Sequence, residues 1–152
     1  MLRQNTALLV ALIWCLTAPS PASAQDTPYP IFTANHLDAT MKTLGPNVAG
    51  LRAALREGDF STAKERAIRS REQLAVTVTF WRDRERDDAV QSIRDVLDQF
   101  DALDGLLSTP EVDVAGVESR LDGIRNGCQG CHAVYREEDS ATGDYRLKQS
   151  AL

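Results

Sequence analysis

From Ile31 onward, apolar residues return every three or four positions, the spacing of one helix face. Residues 31–56 carry Phe32, Leu37, Met41, Leu44, Val48, Leu51 and Leu55 on one stripe. Gly45-Pro46 lies inside this stretch. Proline lacks an N–H and crowds the preceding turn, so a kink or a break is expected there. Gly58-Asp59 marks a stop and a restart, with Asp59 or Ser61 as the cap. The second helix carries Phe60, Ala63, Ala67, Leu74, Val78 and Trp81. Its end, residues 76–80, alternates like a strand but has no partner strand in view and reads as helix. The charged run 82–88 reads as a solvated turn. A third helix, residues 88–107, turns Val90, Ile93, Leu97, Phe100, Leu103 and Leu107 inward and ends at Ser108-Thr109-Pro110. The fourth starts near Asp113 and carries Val114, Val117, Leu121 and Ile124 on toward Tyr135. The tail, residues 139–152, reads as irregular. Four amphipathic helices with short connections predict an all-α fold, an antiparallel four-helix bundle.

The N-terminus follows a different pattern. Arg3 precedes an apolar run, Leu8 to Trp14, too short for a permanent membrane anchor. Pro19 and Pro21 break any helix, and Ala22-Ser23-Ala24 supplies small residues where a signal peptidase cuts. Trp14 directly before Cys15 argues against a lipid-modified cysteine. The expected organisation is a signal peptide at 1–24, one domain at 25–138 and the tail at 139–152, with export to the periplasm. The length, 152 residues, suits one domain. A net charge of −5 without a basic run excludes nucleic acid and anionic membrane surfaces as partners. A basic or neutral protein fits better.

Cleavage after Ala24 removes Cys15 and leaves two cysteines, both in Cys128-Gln-Gly-Cys131-His132. Two thiols three positions apart followed at once by an imidazole form the attachment signature of a c-type haem. On a helix, positions i and i+3 face the same way, so both sulfurs reach the vinyl groups on one porphyrin edge. His132 then projects over the iron as proximal ligand. Gly127 and Gly130 are expected to leave room for the macrocycle. Three other readings compete. They are a structural disulfide, a thioredoxin-like pair lacking its βαβ context, and a zinc site drawing on Cys128, Cys131, His132 and His36.

The stretch from Cys128 to Tyr135-Arg136 resembles the Cys-x-x-Cys-His-x-x-Tyr-Arg ending of the cytochrome c′ family, the class II c-type cytochromes. Residues 39–45 are similar to that family's distal helix. The resemblance implies a bundle holding one covalent haem c, and Met41 at the distal position. In one branch of the family a methionine ligates the iron; in the other the sixth position stays open behind an apolar side chain. Met41 is the only methionine other than Met1, and a thioether opposite histidine raises the reduction potential. A core-filling methionine is the competing role. His36, five positions earlier, is the rival ligand. The family's arginine four residues before the distal side chain is replaced here by Leu37. Arg125 and Arg136 flank the motif, and either can pair with a haem propionate.

The expected function is electron carriage by a haem with His132 and Met41 as axial ligands, serving a redox partner protein. The alternative is a five-coordinate binder of nitric oxide or carbon monoxide walled by Met41, Leu37 and Leu44. No catalytic residues are expected, because nothing pairs with His36 to move protons. The resemblance also implies pairing into a homodimer.

Overall fold

The computed structural model describes residues 33–152. The signal-peptide segment and the expected helix start at Ile31 lie outside the described residues. Five α-helices follow in order: α1 (Ala34–Arg56), α2 (Phe60–Ala75), α3 (Val78–Arg82), α4 (Asp87–Leu107) and α5 (Val114–Tyr135). Two short strands, β1 (Arg136–Glu138) and β2 (Tyr145–Leu147), and a 3-10 turn (Gln149–Ala151) complete the chain. The fold is all-α with a small appended hairpin.

Local chemistry sets the helix ends. The Thr33 hydroxyl accepts from the His36 N–H at 3.2 Å and opens α1. The Asp59 carboxylate accepts from Thr62 at 2.9 Å and opens α2, and Asp113 does the same for α5 through Gly116 at 3.1 Å. Each satisfies an N–H that the helix itself leaves unpaired. In α4, Asp87 and Asp88 occupy the first turn, where their charge complements the helix dipole. Gly58 adopts φ 73°, a conformation glycine takes without steric cost, and turns the chain between α1 and α2.

Side-chain pairings give the relative directions. Asn47 donates to Gln73 at 2.8 Å while Gly50 abuts Arg66, so α1 and α2 run antiparallel. Arg71 bonds Asp101 and Lys64 reaches Ser108 at 2.7 Å, so α2 and α4 do too. Arg120 donates to Gln99 at 3.2 Å and Tyr135 to Asp88, which makes α4 and α5 antiparallel. The core runs through Leu44 and Leu51 of α1, Ala67 and Leu74 of α2, Phe80 and Trp81 of α3, Ile93, Phe100 and Leu103 of α4, and Ile124 of α5. Burying such side chains is worth about 1.5–3 kcal/mol each.

Three expectations are corrected. First, of the kink or break expected at Gly45-Pro46, the break does not occur: α1 continues through Pro46. Gly45 and Pro46 are exposed, so the carbonyl that loses its N–H partner faces solvent, while Leu44 and Leu51 stay packed on the other face. Second, the helix expected through Trp81 breaks at Val76-Thr77. The Thr77 hydroxyl donates to the Leu74 carbonyl at 2.7 Å and Thr79 to the Val76 carbonyl at 3.0 Å, local bonds that compete with helix continuation. The break lets two consecutive residues, Phe80 and Trp81, both enter the core.

Third, the tail is not irregular. Arg136 pairs with Leu147 and Glu138 with Tyr145 in an antiparallel hairpin. The Asp139 carboxylate accepts from Ala141 at 2.9 Å, and Gly143 at φ 73° closes the turn. Lys148 ties the returning strand to α5, its N–H to Tyr135 at 2.9 Å and its ammonium to the Ala133 carbonyl at 2.7 Å. Ala151 is fully buried. Among the described residues no helix is long and apolar enough to cross a membrane.

Candidate functional site

On α5 the inward face changes character past Ile124. From Arg125 to Val134 no residue is fully buried, yet Cys128, Cys131 and His132 are half-buried. They face a cavity of about 980 Å³ instead of a neighbouring helix. Across it, α1 contributes Leu37, Met41, Leu44 and Val48, with Leu74 and Trp81 below and Ile93 and Val96 of α4 behind. The hairpin closes one side with Arg136, Tyr145 and Leu147.

The space opens to solvent, and its walls are mostly apolar, with Leu37, Met41, Leu44, Val48, Ile93 and Val96 among them. The size sits at the top of the usual range for small-molecule and cofactor sites, roughly 300–1,000 Å³. A second, smaller cavity of about 340 Å³ lies between the C-terminal part of α1 and the start of α5, with Arg52, Phe60 and Leu121 among its walls.

Cys128 and Cys131 are free thiols on one face of α5. Burial raises the Cys128 pKa, opposed by the charge of Arg52. Burial, then the neighbouring Cys128 and Asp88, push Cys131 up to about 11. Both are protonated at neutral pH, the opposite of the activated thiolate a thioredoxin-like pair requires. His132 shifts the other way. Burial, then the charge of Arg136, lowers its pKa, so the imidazole is neutral at neutral pH with a lone pair to offer a metal. Tyr135 is buried, its ring centre 4.5 Å from that of Trp81 with the planes tilted by 47°, and it donates its hydroxyl to Asp88. Burial and that bond push the phenol up to about 12.

The cavity thus gathers Met41 with Cys128, Cys131 and His132. His36 does not line it, which leaves Met41 as the sulfur or imidazole donor that α1 presents there. Among the described residues no cluster of three or more histidine, cysteine or acidic side chains forms a metal site, so the four-ligand zinc set is not assembled. Of the two flanking arginines, Arg136 lines the cavity; Arg125 is exposed and pairs with Asp122 at 3.2 Å.

Gly127 borders the cavity, and Gly130 is exposed, with nothing within 4 Å of where a Cβ would stand. A Cβ on Gly127 would come within 2.3 Å of Val96 Cγ2. The missing side chain at Gly127 therefore admits α4, and that close approach sets the depth of Cys128 in the cavity. Gly127→Ala is expected to destabilise the protein by about 1–2 kcal/mol, since valine has little rotamer freedom with which to yield. Val96→Ala in the same chain should restore part of the loss in a thermal melt. Additive losses in the double variant would show that the two residues do not meet.

Sequence reasoning missed the cavity walls that come from α2, α3 and the hairpin. Trp81 reads as core from its spacing, and the alternation Tyr145-Arg146-Leu147 after Gly143 was the available sign of a strand. Compared with known proteins, the chain matches no family model, no curated protein and no solved structure.

Proposed function

We propose that this protein is an exported monohaem c-type cytochrome, an antiparallel four-helix bundle closed around one covalent haem c, that carries single electrons for a partner protein in the periplasm. The observation that carries this reading is the meeting of two half-buried, protonated thiols and a neutral imidazole on α5 with a thioether on α1, across a mostly apolar space of cofactor size. A haem supplies a one-electron Fe(III)/Fe(II) couple. Cys128 and Cys131 would hold it by thioether bonds and His132 by its imidazole nitrogen. Met41 would complete the coordination from the opposite helix. Leu37, Leu44, Val48, Ile93 and Val96 would exclude water, which with the His/Met pair favours the reduced state. On this reading the protein is a carrier: Asp38 and Lys42, the ionisable groups beside Met41, are paired with each other at 2.7 Å.

A second reading has one observation in its favour. Leu37 and Leu44 flank Met41 on the same face and are both buried, an apolar wall suited to an open sixth position that takes nitric oxide or carbon monoxide. Absorption spectra of the exported protein, oxidised and reduced, before and after carbon monoxide, separate the two. Sharp low-spin bands that resist carbon monoxide are expected. Broad high-spin bands that shift at once would replace the electron carrier by the gas binder.

A further inference from the structure

The cavity rim carries three cations, Lys42, Arg136 and Arg146. Two already have partners. Lys42 pairs with Asp38 at 2.7 Å, and Arg146 with Glu137 at 2.9 Å and Asp139 at 3.3 Å. Arg136 forms no ion pair among the described residues. Its guanidinium lies 4.0 Å from the centre of the Tyr145 ring. The register explains the contact. Arg136 stands opposite Leu147, so Tyr145 is its diagonal neighbour on the same face of the hairpin, within reach of long and aromatic side chains. Arg136 also lies four residues after His132, one helical turn on, at the point where α5 gives way to β1. The turn residue Asp144 and Lys42 of α1 both border the cavity, so the hairpin and α1 share its rim. Among the described residues, the rim cation without an ion pair, Arg136, is held by an aromatic ring.

Resting on the haem reading above, we propose that the C-terminal hairpin is a carboxylate clamp: Tyr145 is a positioning residue that holds Arg136 at the rim, where its guanidinium takes a propionate of the bound haem. A guanidinium held over an aromatic face is attracted by the ring quadrupole, which favours one orientation without burying the charge.

The test compares the reduced-to-oxidised ratio of the holoprotein at one fixed poise. Removing a positive charge beside the haem favours Fe(III), so Arg136→Gln should lower the ratio on the order of fivefold. Arg125→Gln changes the net charge equally on the exposed side of the same helix and should leave the ratio unchanged. Tyr145→Leu should give a partial fall, about twofold, and Tyr145→Phe, which keeps the ring, none. The double variant Arg136→Gln/Tyr145→Leu should fall no further than Arg136→Gln alone, because Tyr145 acts through Arg136. Equal effects at Arg136 and Arg125, or strictly additive effects at Arg136 and Tyr145, would overturn the clamp. A wild-type protein without haem bands would instead overturn the functional reading, and is seen before any variant is compared.

Discussion

Replacing Cys128 and Cys131 together by alanine should leave an exported chain that loses its pigment on denaturing extraction and no longer melts cooperatively at the wild-type temperature. The argument begins with the walls. Met41, Leu44, Val48, Leu74, Ile93 and Val96 border about 980 Å³ of space. Leaving apolar walls open to water forgoes burial worth roughly 25 cal/mol per Å². On the haem reading the cofactor would complete the core, and its bonds to α5 would keep it there through fluctuations that open the helices. With both thioethers gone, only coordination by His132 and Met41 would retain it, and occupancy becomes a matter of concentration. Each single variant keeps one bond and should fall between the two extremes. A double variant that folds and melts like wild type while haem-free would show that the cavity needs no occupant.

Met41→Ala should convert the ferric protein from low-spin to high-spin and let the reduced protein bind carbon monoxide rapidly. Met41 is half-buried on α1 and shares the cavity with His132 on α5. Truncation removes the donor and leaves a gap, so a stability loss of about 1–3 kcal/mol should accompany the spectral change. Met41→Leu separates the two effects. It conserves volume at a cost usually below about 1.5 kcal/mol but offers no lone pair. If the sulfur ligates, Met41→Leu is as high-spin as Met41→Ala and nearly as stable as wild type. A low-spin spectrum in Met41→Leu would make Met41 a packing residue. His36→Gln should leave the spectrum unaltered, because His36 does not border the cavity.

Much of the helical pattern could be read from the chain, and the reason is local. In α4, Val90, Ile93, Phe100, Leu103 and Leu107 of the expected stripe are buried, while Leu97 is only half-buried and Val96 takes the inward place beside it. Asp59 and Asp113 act through side-chain bonds three residues long, which spacing alone reveals. What escaped the sequence depends on long-range or competing interactions. Pro46 is harmless because of the face it occupies, which its own neighbours do not state. Thr77 ends α2 because its hydroxyl competes with the helix for a carbonyl, while apolar spacing continues past it to Trp81. Gly127 shows the same limit at the site. Beside two cysteines its lack of a side chain suggests room for a ligand, and it does border the cavity, but the close approach of Val96, some thirty residues earlier in the chain, is not visible in the local pattern. The hairpin escaped because each strand has three residues and its stabilising contacts, Lys148 to Ala133 and Arg136 to Tyr145, join segments that look like a charged tail.

The most direct measurement is the mass of the peptide containing residues 128–132 from exported protein that has been denatured and stripped with acidified organic solvent. A covalent haem c predicts that this peptide carries the mass of one haem and keeps its visible absorption after stripping. An unmodified peptide with two titratable thiols, or with a disulfide between Cys128 and Cys131, would contradict it.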